Sequence, residues 1–169
     1  MPFAAPGQVG SALDRLRASV ARNTLERMIQ RGFVDYTLRR RALLREFAEG
    51  RVSRDEVCDA QSYLKQAARF HGEPAGQPCP VCGSDGLALV HYVYGDRWKV
   101  GSGQAKAARE IAQLSERMSD FNVYVVEVCD QCGWNHLRES FSTGIEQTPR
   151  RSRRRTPAKP NVAIDLNDL

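Results

Sequence analysis

Two Cys-x-x-Cys-Gly turns, Cys79-Pro80-Val81-Cys82-Gly83 and Cys129-Asp130-Gln131-Cys132-Gly133, restrict what this chain can fold into more than any other feature. Each places two thiols where both can face one ion, and two such turns from separate parts of a chain complete a tetrahedron of thiolates around zinc. The trailing glycines fit, because a tight turn whose amides point at the sulfurs often needs a positive φ, which glycine adopts without a Cβ penalty. The pattern predicts one structural Zn2+ held by Cys79, Cys82, Cys129 and Cys132. Four thiolates leave no position for water, so the ion serves folding rather than chemistry. Binding free energies of roughly 10–16 kcal/mol for such sites imply that a zinc ribbon built on them does not fold without metal.

Other uses of these cysteines compete with that reading. A disulfide scaffold needs an oxidising compartment, and the first residues, Met1 to Gly7, carry neither a basic n-region nor an apolar h-region. A thioredoxin-like redox pair sits at a helix start after a buried strand and needs no second copy. Catalytic zinc or another metal remains as a third use. His71 and His136 are further candidate ligands, although four cysteines already fill a tetrahedron.

At 169 residues and 41% apolar content, the chain can bury one modest core. No stretch approaches the ~18 consecutive apolar residues of a membrane span, and the chain reads as soluble and cytoplasmic. Its net charge of +5 is unevenly spread. Arginine and lysine outnumber acids in residues 1–50 and 149–169, whereas acids outnumber them in residues 51–148. Basicity therefore lies at the two ends, where flexible arms carry it.

Ser11 with Asp14 opens a predicted helix whose Leu13, Leu16, Val20 and Met28 share a face, with Gly32 as its stop. A second helix is predicted from about Asp35 to Ala48, with Leu43, Leu44 and Phe47 inward and Arg39-Arg40-Arg41 as a basic turn. Ser53-Arg54-Asp55-Glu56 forms a capping box, which predicts a third helix running to about Phe70. The two make either an αα-hairpin or half of a helix-turn-helix reader, and the third helix has few Arg, Asn or Gln in a base-reading row. Cys58, the fifth cysteine, reads as a small buried hydrophobe.

Leu87 to Tyr94 and Phe121 to Val128 read as paired strands, each abutting one knuckle. The stretch between Cys82 and Cys129 exceeds what a plain ribbon hairpin needs, and the surplus reads as a helix to about Met118 lying across the sheet. Gly101 to Lys106 lacks the spacing of a phosphate-binding loop. Trp134 either packs over the zinc site or, with Asn135 and His136, forms a contact tip for a partner. The run containing Arg150, Arg151, Arg153, Arg154 and Arg155 predicts a disordered basic tail that contacts nucleic acid without reading sequence.

Together, Val34-Asp35-Tyr36, Arg40 to Leu44, Gly50 to Ser53, Val57 to Ala60, Phe70-His71-Gly72, both knuckles, Tyr92 to Gly95, Val123 to Val128 and Trp134 to Leu137 resemble an actinobacterial family of small proteins described as a domain of unknown function. The resemblance covers about residues 33–145. It implies an actinobacterial cytoplasmic protein with the four cysteines as zinc ligands, and it implies no activity. The family pattern has Pro before Tyr63-Leu64 where this chain has Ser62, which implies that the third helix begins later in relatives.

The expected fold class is α+β, with N-terminal helices followed by a four-cysteine zinc ribbon, a β-hairpin with an inserted helix. The expected division is a basic amphipathic arm (1–32), a helical hairpin (33–72), the ribbon with its helical insertion (73–145) and the disordered tail (146–169). The expected function is a non-enzymatic interaction module that docks on a large cytoplasmic assembly, RNA polymerase or the ribosome, through Trp134, Asn135, His136, Arg39, Arg40 and Arg41. The alternative is a DNA-binding regulator that uses the helices of residues 35–70. No membrane and no small-molecule substrate are expected. An enzyme is disfavoured by the closed metal site and by the lack of a Ser/His/Asp or paired-carboxylate constellation among only three histidines.

Overall fold

The computed structural model describes Leu25, residues 28–95 and residues 103–145. Its elements run β1 (Arg31–Asp35), α1 (Thr37–Ala48), α2 (Arg54–Val57), α3 (Ser62–His71), β2 (Glu73–Pro74), β3 (Leu87–Tyr94), β4 (Gln104–Lys106), α4 (Ala108–Ser115), β5 (Phe121–Cys129) and β6 (Asn135–Thr143). The six strands form one sheet in the order β1-β6-β5-β3-β2, with β4 also pairing β3, and every strand pair is antiparallel.

Strands β3 and β5 form because Val, Ile-like branched and aromatic residues fill them, and they pair in unbroken register from Leu87↔Cys129 to Tyr94↔Asn122. Side chains alternate between the two faces. On one face, Val93, Val123, Val125, Phe121 and Phe141 pack with Ala108 and Ile111 of α4 and with Leu25. Toward the knuckles of that face, Leu87 and Cys129 pack with Trp134, Val57 and the Leu43, Leu44 and Phe47 side chains of α1. On the other face, Val90, Tyr92 and Val128 pack with Ala67, Ala68 and Leu64 of α3. Helices thus cover both sides of a single sheet.

This arrangement overturns the expected fold, N-terminal helices followed by a zinc-ribbon hairpin. Residues 28–95 and 103–145 form a six-stranded, mostly antiparallel sheet with four short helices. Four strands were not expected, the short β2 and β4 and the longer β1 and β6. Arg31–Asp35 holds only Phe33 and Val34 as strand formers, and Gly32, expected to stop a helix, instead has a φ of +59° inside the strand. Register shifts between Arg31 and Val34 as the strand pairs β6. In β6, the step from Val125↔Glu139 to Val126↔Leu137 makes Arg138 an extra residue. Such a bulge breaks the period-two alternation by which a strand is recognised.

The helices also depart from expectation. The Ser53 capping box forms, with Ser53 Oγ accepting from the Glu56 amide and Glu56 Oε2 accepting from the Ser53 amide at 2.8 Å. The helix it starts ends at Val57, and a new one begins at Ser62. Contacts with the second knuckle take over between them: the Ala60 amide donates to Gly133 O at 3.0 Å, and Asn135 Nδ2 donates to Asp59 Oδ1 at 2.7 Å. Helices α1 and α3 pack on opposite faces of the sheet, so they do not build the expected hairpin or a helix-turn-helix pair. The predicted helix over residues 11–32 lies outside the described residues except at Leu25 and from Met28 onward, as does the whole tail 146–169.

Candidate metal centre

The sheet order brings the two knuckles together. The first knuckle lies between β2 and β3, the second joins β5 to β6, and β3 lies beside β5, so Leu87 and Cys129 face each other at that end. Both turns close with one pattern. Cys79 N donates to Ser84 O at 2.8 Å and Gly83 N to Cys79 O at 2.9 Å, while Cys129 N donates to Trp134 O at 2.8 Å and Gly133 N to Cys129 O at 3.0 Å. Gly83 and Gly133 occupy the left-handed region, at φ +72° and +88°.

The sulfurs of Cys79, Cys82, Cys129 and Cys132 all lie within 4.8 Å of one another and could hold a metal ion. Cys79–Cys132 and Cys82–Cys129 are each 3.7 Å apart. A tetrahedron of sulfurs at about 2.3 Å from a central zinc has edges of about 3.8 Å, so the donors fit such an ion. Among the described residues no histidine joins this cluster, His71 and His136 included.

The surroundings favour thiolates unevenly. Burial pushes the Cys79 thiol up to about 11 and raises that of Cys132 as well. Cys82 is held down at about 6: burial works against its ionisation, and the Ser84 hydroxyl and amide outweigh it. Ser84 Oγ lies 3.2 Å from Cys82 Sγ and 3.3 Å from Cys129 Sγ, and the Trp134 amide donates to Cys132 Sγ at 3.4 Å. Cys82 offers the first ready ligand. The buried thiols ionise when a cation arrives to offset their charge, so metal uptake releases protons.

Of the three residues weighed as a contact tip, Trp134 is buried and Asn135 and His136 are half-buried. Trp134 is fully buried, and its indole N–H donates to Glu127 Oε1 at 2.9 Å. His136 stacks on it with ring centroids 5.9 Å apart, and burial lowers its pKa. Asn135 is tied to Asp59 and to Gly133 O. Arg40 reaches the same Glu127 carboxylate. Only Arg39 and Arg41 of the expected partner-binding set are exposed. Of the two places weighed for Trp134, over the cysteine cluster or at a contact tip, the structure shows the first, and the ring packs as core against the knuckles. The arginines at positions 150, 151, 153, 154 and 155 lie outside the described residues.

Three participants escaped the sequence reading. Glu127 is a lone acid in an otherwise apolar strand, and its inward position in the alternation was the available signal. Ser84, two residues after Cys82, is a hydroxyl at a place where backbone turns toward the sulfurs. Lys65 has its Nζ 3.2 Å from where a Cβ on Gly133 would stand, which nothing in the local sequence indicates.

A family of unknown function, DUF5318, matches residues 27–157. The chain belongs to this family. The resemblance read from the sequence is thus borne out, over a wider span than the 33–145 first assigned. The uncharacterized protein Rv0049 of Mycobacterium tuberculosis (strain H37Rv) is 48% identical over 117 residues, covering 69% of this chain and 85% of the relative. The uncharacterized protein Mb0050 of Mycobacterium bovis matches with the same identity and coverage. No solved structure matches the chain. No helix among the described residues is long and apolar enough to cross a membrane.

Proposed function

We propose that this DUF5318 protein is a non-enzymatic, zinc-stabilised interaction module that docks on a large cytoplasmic assembly, with RNA polymerase or the ribosome as host. Zinc is the ion that an all-thiolate, closed tetrahedron suits: it needs no open position, and its role is to hold two strand ends together. Elemental analysis of colourless protein with one zinc per chain supports this; a coloured iron centre overturns it.

One observation carries the docking reading. Strand β1 is an edge of the sheet, and Phe33, Val34 and Leu38 stand exposed there beside Arg39 and Arg41. An apolar edge that no other described strand covers is a template for pairing with another chain, and flanking arginines favour an acidic rim on the partner. The docking surface is therefore moved from the Trp134 turn to β1 and the start of α1. The basic run after residue 149 would reach nucleic acid carried by the same assembly.

The test is a tagged pull-down from an actinobacterial lysate, with and without nuclease, using the full chain, a Phe33→Ser/Leu38→Ser variant and a chain lacking residues 149–169. Recovery of polymerase or ribosomal subunits that survives nuclease and tail removal, and that the double variant loses, supports the reading. Recovery that depends only on nucleic acid and the tail overturns it.

A further inference from the structure

The two faces of the sheet are covered to different extents. On one, Phe121, Val123, Val125 and Phe141 are all buried with Ala108 and Ile111 of α4. On the other, α3 packs on Val90, Tyr92 and Val128. Beyond α3 on that second face, Tyr94 is 44% exposed, Asn122 is exposed, and Tyr124, Ser140 and Ser142 are half-buried. Register makes these one surface, because Tyr94 stands opposite Asn122, and Asn122 and Tyr124 stand opposite Ser142 and Ser140.

Aromatic rings run from these strands onto the helix. Tyr94 meets Tyr124 edge-on, with ring centroids 5.5 Å apart and planes at 84°. Tyr63 and Phe70 of α3, about 10 Å apart along its axis, are 62% and 79% exposed. With Gln66, Gln104 and Lys106 they line a groove of about 280 Å3 between α3 and β4. Pockets for drug-sized ligands hold about 300–1,000 Å3, so this groove takes one ring system rather than a whole small molecule.

Carboxylates avoid this side. Of those in the strands, Asp35, Glu73, Glu127 and Glu139, none falls on it. Glu73 and Glu127 both stand opposite Leu89, Glu139 opposite Val125 and Asp35 opposite Glu139, all on the face that α4 covers. Helix α3 has no acid either, and it carries Lys65 and Arg69. Acids nevertheless outnumber bases in residues 51–148, so composition does not account for the separation. Exposed rings offer flat surfaces to bases, the amides of Asn122, Gln66 and Gln104 suit base edges, and a surface without carboxylates admits phosphates.

We propose that this face is a stacking platform for single-stranded nucleic acid. Bases stack on Tyr94 and Tyr124 on the sheet and on Tyr63 and Phe70 at the groove. Phosphates pass Lys106, whose contact with Glu110 is a loose 3.8 Å. The platform works with or without docking through β1.

The test is fluorescence anisotropy with the full chain at physiological salt. The probes are a labelled short single-stranded RNA, the same sequence as DNA, and an abasic strand of equal length. Phosphates alone satisfy the basic run after residue 149, whereas stacking needs bases. The RNA or the DNA should bind about tenfold or more tightly than the abasic strand, and Tyr94→Leu and Phe70→Leu should each lose most of that difference. Leucine keeps apolar area but removes the ring, and Phe70 is too exposed for its loss to disturb the core. Phe33→Ser/Leu38→Ser, on the β1 side, should bind as the wild type does. Equal affinity for the abasic strand, or wild-type affinity in both leucine variants, overturns the platform; the second result would mark the face as a protein-binding surface instead.

Discussion

Arg40 on α1 donates from Nε to Oε1 of Glu127 at 2.5 Å, and the carboxylate it meets is completely buried. The Trp134 indole donates to the same oxygen. A helix, the central strand and the turn after the second knuckle are therefore joined at one acid. The pair does not have to stabilise the fold relative to apolar residues, because taking both charges from water is expensive. Half of it is worse than none.

The first prediction follows from that asymmetry. Arg40→Ala strands a buried carboxylate and should lower the unfolding free energy by about 3–5 kcal/mol, the usual range for one broken partner of a buried pair. Arg40→Met with Glu127→Gln should recover a large part of the loss, because no uncompensated charge is then left. Urea unfolding of the three proteins checks this. A loss in Arg40→Ala no greater than that of Arg39→Ala would remove the latch from the account.

His91, on β3, is 2% exposed, and burial depresses its pKa from 6.5 to about 4. The folded state therefore keeps the ring neutral while the unfolded chain protonates it. Stability from this group is present above pH 6.5 and is lost as pH falls toward 4. By linkage the loss between pH 7 and pH 5 is about 2 kcal/mol. Urea unfolding at the two pH values should show a smaller acid loss by that amount in His91→Leu than in the wild type. The four-cysteine cluster is common to both proteins, so parallel curves would assign the acid sensitivity to groups other than His91.

How far the sequence discloses this molecule depends on whether a signal is local. The clustered cysteines Cys79, Cys82, Cys129 and Cys132 stand in two short turns, and strands β3 and β5 carry dense runs of branched residues; both were legible. The Ser53–Glu56 capping box was legible as a start, but not its end at Val57, because the bonds that stop that helix come from Gly133 and Asn135 in another part of the chain. Strand β6 was hidden for a different reason. Its bulge at Arg138 shifts the alternation midway, and its polar residues carry no strand pattern of their own until β1 and β5 supply partners on both sides. The inward Trp134 was undecidable locally, since only Glu127 and the α1 side chains fix which way it faces.

The two knuckle glycines separate turn geometry from packing. Both have positive φ, but a Cβ on Gly83 meets nothing within 4 Å, whereas one on Gly133 meets the Cys58 carbonyl oxygen at 2.8 Å and Lys65 close by. Gly83→Ala should cost only the left-handed conformation, about 1–2 kcal/mol. Gly133→Ala carries that cost and must also push the 58–61 link away from the knuckle. Thermal unfolding of the metal-loaded proteins should rank Gly133→Ala clearly below Gly83→Ala; equal midpoints would show that the link yields without effort.

Metal removal should act on one end of the sheet before the other. The apolar contacts around Leu87, Cys129 and Trp134 gather at the knuckles, while those around Val93, Phe121, Val123 and Phe141 gather at the far end under α4 and need no thiolate. Stripping a bound ion leaves four clustered sulfurs, those of Cys79 and Cys129 buried, without a cation, and the binding free energy of a structural zinc is folding free energy for whatever the site holds together. Hydrogen exchange after chelation should therefore show early loss of protection at Leu87–Val90, Glu127–Cys129 and Asn135–Leu137, with Phe121–Val125 protected longer. Loss at both ends at one rate would mean that the metal supports the entire sheet as a single cooperative unit. Persistence of protection at the knuckles would mean that Trp134, Arg40 and Glu127 hold that end without it.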